Sequence, residues 1–243
     1  MSITTSPLAR KLSSFMILTD NDLALLERLH QRRRVFLAGK DLVHQGQSKQ
    51  AAYILATGWA ASYKILENGE RQIVDFLLPG DFVGLRSSLL RISDHSIEPV
   101  TDIEVSEIVV SDLLGAFEEN HRLAMAFLWA ASRDEAMVVE HLVNVGRRDG
   151  TKRLAHFLLE MGVRLNLVGM GTNSGYDCPL TQYLIADALG LSAVHVNRCL
   201  RQLREHGLVT FQAGRVEFDD HARLVAFAQF DPTYLDQQGP LLR

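Results

Sequence analysis

Apolar positions recur with different periods along this chain. Residues 8–15 form a short amphipathic piece. Asp20 is placed to cap a helix over 21–30, where Leu23, Leu26 and Leu29 share one face. From Arg32 to about Val110 the period shortens. Residues 60–65 and 71–76 alternate between apolar and polar. Gly39, Gly46, Gly58, Gly69, Gly80 and Gly84 break the region into short strands. Asn68-Gly69 sits between the two alternating runs as a hairpin turn, because both residues tolerate positive φ. Short strands with a glycine near each turn predict a barrel or jelly-roll.

After Ser111, taken as the cap of a helix over 112–120, a helix is predicted over 121–145. It contains neither Gly nor Pro. Leu123, Phe127, Ala130, Met137, His141 and Val145 form one stripe, which Leu128, Trp129, Ala136, Val139 and Leu142 widen. A small barrel can cover only one side of such a helix, so a second subunit is expected to cover the other. Leu123 and Met137 are taken as pairing positions. Asp134 interrupts the seam, either as a solvated rim position or as a polar group that fixes register.

Residues 146–150 (GRRDG) punctuate the chain. A helix over 151–165, a Gly-, Asn- and Ser-rich loop over 169–178 and an acidic-aromatic tail are expected around the most informative stretch, 180–218. There Thr181 caps a helix over 182–189 and Gly190 stops it. Ser192 caps the next helix, which runs to about Glu205 and ends at Gly207. Its inner face reads Val196, Cys199, Leu200 and Leu203. Two helices joined by a tight glycine turn make a helix-turn-helix, and the hairpin predicted at 208–219 around Ala213-Gly214 adds a wing.

Composition narrows the function. Of 243 residues, 47% are apolar and 22% charged, a globular mix. Net charge is −4, so any nucleic-acid contact must be local. The second helix of the pair carries His195, Asn197, Arg198, Arg201 and Arg204, a basic face suited to a phosphate backbone. The two cysteines, Cys178 and Cys199, exclude a disulfide framework and a four-thiolate metal site. Cys199 falls on the inner helix face and reads as structural. Cys178, in a polar loop, reads as the more reactive thiol. There is no P-loop, nucleophile elbow, HExxH or paired-carboxylate motif, so an enzyme is not expected. No secretory signal or membrane span is read, which points to the cytoplasm.

Residues 42–85, with His44-Gln45-Gly46, the Asn68-Gly69 hairpin and Pro79-Gly80-Asp81-Phe82-Val83-Gly84, resemble the cyclic-nucleotide-binding-type β-roll of the Crp/Fnr family of bacterial transcription regulators. Residues 180–218 resemble its winged-helix reader. The resemblance covers nearly all of 8–220. It implies an α+β chain: an N-terminal double-stranded, jelly-roll-like β-roll sensor (1–120), a long dimerisation helix (121–146) and a C-terminal winged helix-turn-helix (147–243). It implies a homodimer on double-stranded DNA, with RNA polymerase as a further partner. The alternative reading is a small-molecule-binding regulatory module whose helix-turn-helix contacts protein.

The family's cyclic-AMP binders have a Glu after the PGDF-x-G glycine, then an Arg-Ser pair. Here those places are Leu85, His95 and Ser96, and the adenine-contacting pair of the long helix falls at Val138-Val139. Leu85 cannot accept a hydrogen bond, and His95 lacks the fork of Arg. Cyclic AMP is therefore not expected. Nor is haem, for which His44, His95 or His141 would be the ligand, and the four-cysteine iron–sulfur site is excluded. Gly84, Leu85, Arg86, Ser87, His95 and Ser96 remain as a candidate effector pocket, with Arg86, Ser87 and backbone amides cradling some other anion. In the reader, the family's base-contacting Glu and Arg places are Val194 and Arg198, and Asn197 sits where the fumarate-and-nitrate regulators have Ser. Thr181, Gln182, Ser192 and His195 match places at or beside phosphate, and Arg201 lies a turn further on.

Overall fold

A computed structural model describes residues 3–48, 51–237 and 239–241. The first helix, α1 (Pro7–Leu12), starts where the Ser6 hydroxyl accepts the Ala9 N–H. In α2 (Asp20–Leu29) the cap is Thr19 rather than Asp20. Thr19 Oγ1 accepts the Asp22 N–H, and the Asp22 carboxylate accepts the Thr19 N–H at 2.7 Å, a reciprocal box that Asp20 cannot close. The strands β1 (Arg33–Phe36), β2 (Ala52–Thr57), β3 (Ala60–Ile65), β4 (Arg71–Leu77), β5 (Phe82–Val83), β6 (Ser96–Pro99) and β7 (Ile103–Ile108) follow, with the short helix α3 (Leu85–Leu89) after β5. They form two antiparallel sheets, β1-β7-β2-β5 and β4-β3-β6. Val43, Leu55, Val83, Ile97 and Val105 fill the roll between them. At the β3–β4 turn only Gly69 has positive φ (+85°). Asn68 contributes its side chain instead, its Oδ1 accepting the Glu70 N–H.

Helix α4 (Val110–Glu119) begins ahead of Ser111, which lies inside the first turn and caps nothing. Asn120 caps α5 (His121–Arg147) by accepting the Leu123 N–H, and the helix continues through Gly146. Leu123, Phe127, Ala130 and Met137 are buried in the chain's own core. Leu123 and Met137 are therefore not pairing positions. The outward face carries Met125, Leu128, Val139 and Leu142, the last 74% exposed. Asp134 is on neither the rim nor that seam: it turns toward the roll, 3.6 Å from Lys11.

Asp149 caps α6 (Gly150–Leu167). The expected loop at 169–178 contains a hairpin, β8 (Gly171–Thr172) and β9 (Gly175–Asp177). Then come α7 (Gln182–Leu189), α8 (Ala193–Glu205) and the wing strands β10 (Val209–Gln212) and β11 (Arg215–Phe218). The early hairpin joins the wing in one sheet, β10-β11-β9-β8. The acidic-aromatic tail is folded too. It forms α9 (His221–Ala228), capped by Asp220, and a 3-10 turn at Pro232–Leu235. The turn lies on α5, where Trp129 Nε1 donates to Asp236 Oδ2 (2.6 Å) and Arg133 Nε donates to the Leu235 carbonyl (2.7 Å). Further on, the Leu241 N–H donates to the Phe15 carbonyl.

Roll and C-terminal half share a core that includes Trp59, Tyr63, Phe76, Met137, Phe157 and Leu158, and a buried ionic cluster beside it. Arg164 of α6 donates to Asp75 (2.8 Å), Asp81 (2.9 Å) and the Phe76 carbonyl (2.8 Å), while Lys11 caps Asp81 from the other side at 2.8 Å. Next to it, His141 Nε2 donates to Glu160 Oε1 (2.8 Å), and the Tyr234 hydroxyl donates to Glu160 Oε2 (2.7 Å). Burial opposes both charges, yet the His141 and Arg164 cations and the Tyr234 hydroxyl hold the Glu160 carboxyl at about 2. Glu160 and Asp75 in turn outweigh burial and Arg164 to raise His141 to about 9.

The pair's stabilisation is full between pH 4.5 and 6.5, the ordinary values of the two groups. It is lost as pH falls from 4.5 toward 2, where Glu160 protonates, and as pH rises from 6.5 toward 9, where His141 loses its proton. Urea unfolding across this range should show both limbs. Glu160→Gln should lower the plateau by about 3 kcal/mol and flatten the alkaline limb.

Candidate nucleic-acid interface

The turn between α7 and α8 is built from local caps. Thr181 Oγ1 accepts the Leu184 N–H, Gly190 closes α7 in the left-handed conformation (φ +62°), and Ser192 Oγ accepts the His195 N–H. Val196, Cys199 and Leu203 of α8 are buried, with Leu200 half-buried. That fixes the rotation of the helix and turns Val194, Asn197, Arg198, Arg201 and Arg204 to the outside. Val194 is 80% exposed, an apolar side chain left without cover on a rigid element. Arg201 lies loosely beside Glu205, 3.9 Å away. His195 is half-buried at the start of α6, where a Cβ on Gly150 would stand 2.7 Å from its Nε2. The same nitrogen accepts from Arg198 Nη2 at 3.0 Å. His195 is therefore a brace for Arg198 rather than a freely exposed side chain. Thr181 and Ser192 are exposed at the two helix starts, with Gln182 half-buried. Tyr183 was missed in the sequence. It stands 74% exposed in the first turn of α7. The signal was a large aromatic where an amphipathic helix turns to water.

The roll holds this unit by its first helix. Arg71 of β4 pairs with Asp187 of α7 (2.9 Å), Gln72 donates to the Ala188 carbonyl, and Arg153 of α6 donates to the Leu189 carbonyl. The outer face of α8 stays clear.

Neither cysteine is a surface thiol. Cys199 is fully buried, with the Thr151 hydroxyl 3.5 Å from its sulfur. Cys178 is not the reactive member of the pair. It is 2% exposed, its N–H donates to the Gly214 carbonyl beneath the wing, and burial pushes its thiol up to about 12.

In the roll, Gly84, Leu85, Arg86 and His95 line a cavity of about 520 Å³ between α3, the strands and α5. Ser87 and Ser96 do not join them. Ser87 is buried against Ser93 (2.8 Å), and the Ser96 hydroxyl accepts the Gln45 N–H. The expected anion cradle is thus not assembled: Arg86 faces Asp94 (3.1 Å) and His95 (3.0 Å). Burial, aided by Arg86, lowers the pKa of His95 despite Asp94. The other histidines considered as haem ligands lie apart. His44 is beside Asp41, and His141 is committed to Glu160. With two buried cysteines, a four-thiolate cluster has no ligand set.

A roll, a long helix with an apolar outer face, and a capped helix-turn-helix with a wing define a DNA-binding transcription regulator. Comparison with known proteins agrees. Residues 33–120 match the cyclic nucleotide-binding domain, and residues 152–227 match the Crp-like helix-turn-helix domain. The nitrogen fixation regulation protein FixK of Bradyrhizobium diazoefficiens is 31% identical over 84% of this chain and 85% of its own length. The transcriptional activator protein FnrA of Stutzerimonas stutzeri is 22% identical over 85% of this chain and 84% of its own. The solved structure of FixK2 from Bradyrhizobium japonicum superposes with a TM-score of 0.72 at 27% identity, covering 80% of this chain and 96% of that one. The chain belongs to the Crp/Fnr family of transcription regulators.

The orientation of α8 makes Arg198→Ala and Arg201→Ala separable. The first should cost about 1–3 kcal/mol on a specific site and relax one base position. The second should weaken all sequences alike and reduce the salt slope by about one unit. Titrations on specific and random duplexes check both. Ellman titration of the native protein should leave Cys178 unmodified until unfolding.

Proposed function

We propose that this chain works as a homodimer that sets two α8 helices into successive major grooves. In this reading 1–120 is the sensor, 121–146 the pairing helix and 147–243 the reader. Arg198 reads guanine through O6 and N7. Val194 meets a thymine methyl, and Asn197 tunes a neighbouring base, with His195 holding Arg198 in place. Thr181, Gln182, Ser192 and Arg201 meet phosphate. The protein acts in the cytoplasm, with RNA polymerase as a partner, and catalyses no reaction of its own. It uses neither cyclic AMP, haem nor an iron–sulfur cluster. The observation that carries this reading is the outward face of α8, where Val194, Asn197 and Arg198 stand uncovered on a helix whose other face is locked into the core.

Selection from a random DNA pool by the purified protein, with no ligand added, tests it. A two-fold-related site with half-sites about one helical turn apart is expected. Recovery of no preferred sequence would count against it. The pairing surface has its own test. Leu128→Glu with Leu142→Glu should give folded monomers by light scattering, with DNA affinity reduced at least about tenfold. A persistent dimer would place the interface elsewhere.

A further inference from the structure

Most of the surface lining the cavity in the roll is apolar. Leu77, Phe82, Leu85, Leu89, Leu90 and Ile97 line it, and Val138 of α5 adds to the same lining. Leu89 and Leu90 remain largely exposed, 67% and 48%, where the cavity opens to solvent. The volume of about 520 Å³ is that of a site for a small organic molecule.

Its charges decide what kind of molecule. Among the lining residues the one side chain with a fixed positive charge is Arg86, already matched by Asp94 at 3.1 Å and hydrogen-bonded to His95. Three carboxylates also line the cavity: Asp75 from β4, and Asp134 and Glu135 from α5. Asp75 is held by Arg164 and Asp134 is near Lys11, whereas Glu135 has no ion-pair partner among the described residues. Ser62 adds a hydroxyl at the base of the cavity. A phosphate or carboxylate entering here would meet an Arg86 whose charge Asp94 already balances, and an unpaired Glu135 in the same cavity. An apolar body would be taken out of water at about 25 cal/mol per Å² of surface. A hydrogen-bond donor on it would find Glu135 and Ser62 as acceptors.

We infer that this cavity binds an apolar small molecule that carries a hydrogen-bond donor and no negative charge. The inference rests on reading the roll as a sensor. Its test uses no DNA, so it can fail while the assignment of α8 to DNA stands.

Two fluorescent probes with the same rings separate the chemistries. N-phenyl-1-naphthylamine is uncharged and has one N–H. 8-Anilino-1-naphthalenesulfonate adds an anion. The full-length protein should bind the uncharged probe saturably, one per chain, and at least about tenfold more tightly than the sulfonate. Leu85→Trp, which takes up part of the cavity, should weaken it at least about fivefold. So should Leu89→Glu, at an exposed position whose change leaves the core intact. Glu135→Lys should narrow the preference by favouring the sulfonate. Matched melting curves establish that the variants are folded. Equal or tighter binding of the sulfonate would overturn the inference. So would uptake without saturation, or an uncharged probe indifferent to both Leu85→Trp and Leu89→Glu.

Discussion

One buried guanidinium holds the two halves of this molecule in register. Arg164 belongs to α6, yet its partners lie in the roll: Asp75 on β4, the Phe76 carbonyl, and Asp81 in the turn before β5. Lys11 reaches the same Asp81 from α1. A cation this deep is tolerable only while its carboxylates surround it, since a buried charge stripped of partners costs several kcal/mol. Apolar packing between roll and reader would accept a small slide. The Arg164 cage accepts much less, because its partners come from different elements. Any swing of α6 away from the roll must re-pair or hydrate Arg164, Asp75 and Asp81 together. Asp75 also lines the roll cavity, so one carboxylate belongs to both the cavity wall and the cage.

The outer faces of α5 and α8 are both left uncovered by the chain itself, and they differ in kind. The outer face of α5 is aliphatic, with Met125, Leu128, Val139 and Leu142 uncovered. The outer face of α8 is basic and polar apart from Val194. Hydrophobic cover suits the first, a polyanion the second. With a net charge of −4, attraction to nucleic acid must be local, and the basic face of α8 supplies it.

How much of this was readable in advance depends on how local the cause is. Thr181, Gly190, Ser192 and the Val196–Cys199–Leu203 stripe act within a few residues of themselves, so α7 and α8 were legible to the residue. The β3–β4 hairpin was legible as well, although Asn68 serves through its side chain. The rest was decided by distant contacts. Cys178 looks polar among its neighbours, but the wing strand that covers it lies more than thirty residues away. The apolar stripe on α5 was legible as two-sided, but periodicity cannot say which side meets the chain's own core. Ser87 and Ser96 follow the same logic: Ser93 and Gln45 take them out of the cavity. No local pattern announced Glu160, His141 or Arg164, whose partners are spread over the roll, α5 and the tail.

The docked tail bears on how the chain is made. The turn at Pro232–Leu235 lies on α5, Tyr234 completes the shell around Glu160, and Leu241 is tied to Phe15 near the start of the sequence. The roll can assemble as soon as β7 has left the ribosome. Glu160 and Arg133, by contrast, wait for Tyr234 and Leu235. During synthesis the two halves therefore remain incompletely joined, with part of the buried charge still wet. The contact of Leu241 with Phe15 forms only after residues 232–241 have been made. A message truncated just upstream of residue 232 would still encode every strand and α-helix found among the described residues, but without the segment that binds the tail to α5.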